Sequence, residues 1–104
     1  MRSRKVTIRK RKREECEMKA ILRQGPNHLK AVSLEDPSPA ADEVILQVGH
    51  VGICGSDIHR MTEDNAKWDS VVLGHEFCGT VTELGSEVKG VSVGDRVAAA
   101  PLVP

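Results

Sequence analysis

Apolar residues recur at every second position in short runs along most of the chain, a period of two that fits extended strands better than helices. MKAILR at 18–23 and LKAVSLE at 29–35 flank the turn signal QGPN, which predicts an antiparallel hairpin. The following DPSPAADE, with two prolines and three acids, reads as a loop. EVILQVGHVGI at 43–53 is the longest apolar segment; rich in Val and Ile, it is expected to be the central strand, bent at Gly49. The pattern then changes to SDIHRMTEDNAKW, where Ser56 or Asp57 would cap a single helical turn before an irregular polar loop. Strand composition returns in VVLGHEFCGTVTELG at 71–85, GSEVKG is a turn, and VGDRVAAA at 93–100 is a last strand. Short strands at close spacing with Gly/Pro turns predict a mainly β fold, a small barrel or sandwich with one short helical turn.

Composition narrows this picture. A chain of 104 residues has room for one domain with a small core. Trp68 and Phe77 are its only aromatics, so that core must be built from Val, Ile, Leu and Ala. No apolar run approaches the ~18 to 20 residues that span a bilayer, and the basic N-terminus has no apolar stretch behind it. Three cysteines, Cys16, Cys54 and Cys78, show no paired spacing, which argues for a reducing compartment and leaves metal ligation open. These features lead us to expect a cytoplasmic protein.

A net charge of zero conceals two regions of opposite sign. Residues 1–17 hold eight Lys/Arg against three Glu, while 18–104 hold seven Lys/Arg against twelve Asp/Glu. The run RKRKR has no interleaved aromatics, so no nucleic-acid or membrane partner is expected. Residues 1–17 read as a disordered or extended basic tail, and the folded domain as 18–104.

Cys54 and His75 each sit where a strand meets a glycine-containing turn, and cysteine and histidine are favoured zinc ligands. A catalytic zinc takes three protein ligands and keeps a fourth position open. On an extended strand His75 and Cys78 would point to opposite faces, which places Cys78 in the core and weakens a closed site of Cys54, His59, His75 and Cys78. Asp57 can accept a hydrogen bond from the non-ligating nitrogen of His75, or simply cap a helix. Ser56 and His59, three apart, share a face of a helical turn and can pass a proton to solvent; His59 is otherwise an exposed loop histidine. Glu76 is a candidate ligand or hydrogen-bonding neighbour, with a solvent-facing edge glutamate as the ordinary alternative. His28 and His50 have no local partners, and Trp68 is a candidate wall of a substrate pocket.

With these residues in view, GICGSDIH followed by LGHEFCGTVTELGSEVKGVSVGDRV resembles the zinc-containing medium-chain alcohol and polyol dehydrogenases. That family carries G-x-C-G-[ST]-D-x-H and an extended G-H-E-x-x-G motif in an N-terminal GroES-like catalytic domain. The resemblance covers about residues 18–104 and implies a partial GroES-like barrel. It implies that Cys54 and His75 ligate a catalytic zinc with Glu76 beside it, and that Ser56, Asp57 and His59 are catalytic. Ser56 would contact the alcohol, His59 would end a proton relay and Asp57 would orient His75. The ending VAAAPLVP is closer to the sorbitol and galactitol-phosphate branch. The implied activity is oxidation of an alcohol or polyol with hydride transfer to NAD or NADP, in a protein that is usually homo-oligomeric.

The family pattern continues into a cysteine-rich lobe and a dinucleotide-binding domain with a G-x-G-x-x-G turn, none of which lies in these 104 residues. The expectation is therefore an N-terminal fragment, inactive alone. The alternative is a free-standing GroES-like module for zinc binding or protein association, without catalysis.

Overall fold

A computed structural model describes residues 6–8 and 17–101. The hairpin expected from the QGPN turn is formed by β2 (Glu17–Gly25) and β3 (His28–Glu35). They pair antiparallel from Glu17↔Glu35 to Gly25↔His28, with an irregularity between Arg23 and Gly25, and form a separate two-stranded sheet. Asn27 takes a left-handed φ of 58° in the turn, a conformation asparagine tolerates.

The central strand β4 (Val44–Gly52) pairs antiparallel with β5 (Glu76–Leu84), which in turn pairs with β6 (Arg96–Ala98). On its other edge β4 takes β1 (Val6–Ile8) in parallel, giving the order β1-β4-β5-β6. Four residues of the expected tail, Val6–Ile8 and Glu17, are thus strand; 1–5 and 9–16 lie outside the described residues. The register of β4 on β5 slips between Val48 and His50, so the bend assigned to Gly49 is a bulge. Among the described residues the two sheets do not close into a barrel, and the fold is mainly β, in keeping with the partial barrel that the resemblance implies.

The core is as aliphatic as the composition requires. Val44, Leu46 and Val81 are buried together, with Phe77, Leu84, Val88, Val91 and Val97 packed against them. Ile45 is fully buried as well. Close approach of β4 and β5 needs a glycine at position 79, because a Cβ there would collide with the Gln47 carbonyl. Among the described residues, no helix is long and apolar enough to cross a membrane.

Three boundaries differ from the sequence reading. α1 (Gly55–Thr62) runs for eight residues, two turns instead of one, and its N-cap is Cys54, not Ser56 or Asp57. Asp57 occupies the third helical position, from which its Oδ2 accepts the Cys54 N–H at 3.1 Å. β5 starts only at Glu76, since Val72 forms an isolated bridge to Leu22 of β2, and the last strand is three residues long.

Candidate metal centre

The register of β4 on β5 builds the site. Gly52 at the end of β4 lies opposite Glu76 at the start of β5. Cys54 follows the first strand by two residues and His75 precedes the second by one, so residues 21 apart in sequence meet at one sheet end. Gly74 makes the entry to β5 with φ 100°, a backbone conformation L side chains rarely adopt.

Ligand atoms of Cys54, His75 and Glu76 lie within 4.8 Å of one another. Cys54 and His75 are half-buried and Glu76 is exposed. Asp57 braces two of the three. Its Oδ1 lies 3.1 Å from His75 Nδ1 while its Oδ2 takes the Cys54 N–H, and the carboxylate itself is buried. With Nδ1 donating to Asp57, the Nε2 lone pair of His75 is left free to act as a donor atom, the tautomer a metal-bound imidazole requires. Ser56 Oγ stands 3.3 Å from that Nε2. Thiolate, imidazole and carboxylate form a set suited to zinc, and three ligands leave one position for a substrate. The residues present therefore fit a catalytic zinc.

The other expected site residues are placed as follows. Ser56 and His59 both lie on α1, but the bond from Ser56 goes to His75, and His59 lies 74% exposed with Nε2 3.7 Å from Glu63 Oε2. Cys78 is a half-buried free thiol inside β5 and is not a member of the Cys54, His75 and Glu76 group. His28 and His50 are exposed. Trp68, in the short 3-10 turn Ala66–Trp68, is not a bare wall. Its Nε1 donates to Glu63 Oε2 at 2.7 Å, and Arg60 and Lys67 stand over the ring at 4.9 and 4.6 Å from its centroid. The indole hydrogen bond is the main cause holding the Glu63 carboxyl below its ordinary range, with smaller help from Asn65, His59 and Lys67 against a desolvation effect.

Sequence reasoning missed Arg23, whose side chain is fully buried and forms an ion pair with Asp69 at 2.6 Å. An arginine following an alternating apolar run gave no signal of this, because its partners lie 40 to 46 residues further on.

A Cys/His/Glu cluster at a sheet end, with Cys54 and His75 half-buried and braced by a helix-borne aspartate, makes this mainly β domain a candidate metal centre. Residues 40–103 match the alcohol dehydrogenase GroES-like domain, and the chain belongs to that family. It is 46% identical over 88 residues to the starvation-sensing protein RspB of Escherichia coli (strain K12), covering 83% of this chain and 26% of that one. Sorbitol dehydrogenase of Macaca fascicularis is 42% identical over 89 residues, with 82% of this chain and 25% of the relative covered. Among solved structures, the rspB alcohol dehydrogenase of E. coli CFT073 complexed with NADH superposes with a TM-score of 0.76 at 43% identity. That match covers 86% of this chain and 26% of the other. The chain spans about a quarter of the length of the relatives it matches.

Proposed function

We propose that this chain is the metal-binding, proton-handling part of a zinc-dependent alcohol or polyol dehydrogenase that uses NAD or NADP. The observation that carries the reading is the convergence of Cys54, His75 and Glu76 ligand atoms within 4.8 Å. In this reading all three hold zinc. When bound, zinc supplies Lewis acidity that makes an alcohol hydroxyl easier to deprotonate. Ser56 Oγ, next to His75 Nε2, would accept the hydroxyl proton as it gives up its own, and His59, one turn along α1 and open to water, would take that proton and release it to solvent. Asp57 keeps the His75 ring in its ligating tautomer throughout. Sorbitol dehydrogenase among the relatives favours a polyol substrate, and the NADH-complexed structure favours a nicotinamide as hydride acceptor.

Equilibrium zinc titration of the purified chain tests this. One equivalent is expected to bind, and Cys54→Ser combined with His75→Ala should abolish it. Unchanged stoichiometry and affinity in the double variant would overturn the assignment. Supplied with zinc, NAD(P) and a polyol, the 104-residue chain alone should show no turnover above background.

A further inference from the structure

Among the described residues Arg23 is the largest buried polar side chain, at 0% exposure. Its Nη1 donates to Asp69 Oδ1 at 2.6 Å and to the Asn65 carbonyl at 3.1 Å, and its Nη2 to the Glu63 carbonyl. Nε has no partner among the described residues, so the two Nη groups make the whole connection.

The segment this guanidinium grips joins the two halves of the candidate metal centre. It leaves α1, which carries Ser56, Asp57 and His59, and returns to the chain just ahead of His75. Backbone bonds from the hairpin hold both its ends. Asn27 N–H donates to the Met61 carbonyl at 2.8 Å; at the other end Ser70 N–H donates to the Arg23 carbonyl at 2.8 Å, Arg23 N–H to Val71 at 3.0 Å, and Leu73 N–H to Ile21 at 3.0 Å. Among the described residues, no backbone hydrogen bond joins residues 63–69 to the hairpin between these ends, and the guanidinium supplies the hydrogen bonds that do. Ser70 adopts φ 64°, a left-handed conformation that serine takes when its surroundings impose it. Trp68 lies within the gripped stretch and is bonded to Glu63, whose carbonyl Arg23 holds.

We propose that Arg23 is a positioning residue for the metal and substrate site. Its guanidinium sets the course of residues 63–69, and through them where Trp68 stands beside α1 and how His75 is presented to Cys54. A planar fork meets two carbonyls and a carboxylate at once, whereas a lysine ammonium on its flexible stem does not reproduce that geometry. The metal part of this inference rests on the reading of Cys54, His75 and Glu76 as ligands; the loop part does not.

The test compares the wild-type chain with Arg23→Lys and with Asp69→Asn. Asp69 is 41% exposed, so the second variant is expected to fold even if the first does not. Three quantities are read well below each unfolding transition: Trp68 emission, the chain's single tryptophan; amide exchange across 63–71; and Co2+ affinity followed by the Cys54 thiolate-to-cobalt absorption. Both variants are expected to red-shift Trp68 emission and to speed exchange across 63–71 roughly tenfold or more. They should also weaken Co2+ binding several-fold, with no rescue by lysine. Lowered thermal stability with unchanged emission, exchange and Co2+ affinity would overturn the proposal by making Arg23 a stabiliser alone. If the wild type binds no Co2+, the metal reading fails, while emission and exchange still decide whether Arg23 positions the loop.

Discussion

Asp57 and His75 stand 18 residues apart in sequence, yet the Asp57 carboxylate lies 3.1 Å from His75 Nδ1. Its other oxygen accepts the Cys54 N–H, so one buried side chain fixes two candidate ligands at once. An asparagine in its place keeps the shape and one carbonyl acceptor but loses the charge that favours metal-bound imidazole. Asp57→Asn is expected to lower zinc affinity about 10- to 100-fold. Competition with a chromophoric chelator measures this, and an affinity within twofold of wild type would remove Asp57 from the site.

Much of that site was legible in the sequence because its residues sit at turns that strand patterning locates. The end of the apolar run at 43–53 placed Cys54, and the glycine before His75 placed the entry to the next strand. Helix length was less legible. Cys54 is an unusual N-cap, and the capping interaction comes from Asp57 reaching backward, so the helix starts earlier and runs longer than Ser56 or Asp57 as caps would give. Arg23 was illegible for a different reason. Met18, Ala20 and Leu22 mark one face of β2 as half-buried; Arg23 lies on the opposite face, where the distant 63–73 segment meets it. Local periodicity carries no information about a covering segment 40 residues away.

The three candidate ligands differ in exposure, and their contributions should differ accordingly. Glu76 is solvent-exposed, while Cys54 and His75 are half-buried and both held by Asp57. Glu76→Gln is expected to retain one bound zinc with affinity reduced roughly tenfold, whereas His75→Ala should lose at least another factor of ten. Equal losses for the two substitutions would show Glu76 to be as firm a ligand as His75.

Two glycines offer opposite outcomes for the same substitution. A Cβ at Gly79 meets the Gln47 carbonyl and the backbone of Val48 across the β4–β5 pairing, and backbone cannot swing aside as a side chain can. Gly79→Ala should therefore destabilise the fold by about 1–3 kcal/mol or more. Gly55 is the first residue of α1 and a Cβ there meets nothing within 4 Å, so Gly55→Ala should be neutral or stabilising by up to about 1 kcal/mol. Urea unfolding of the two variants gives the comparison. A Gly79→Ala chain as stable as wild type would contradict the close strand approach.

Glu63 links acidity to the loop that Arg23 holds. Its carboxyl is held below the ordinary value of 4.5 chiefly by the Trp68 indole N–H, so folding favours the ionised form. For a carboxyl lowered in the folded state, the stabilisation is present above the unfolded value and disappears as pH falls through the folded one. Lowering pH through that folded value, which lies below 4.5, should therefore weaken the indole bond, seen as a change in Trp68 emission while backbone circular dichroism is still native. Glu63→Gln keeps a hydrogen-bond acceptor that does not titrate, so its emission should stay flat over the same range. An emission change in the variant matching that of wild type would show that another group governs the indole environment.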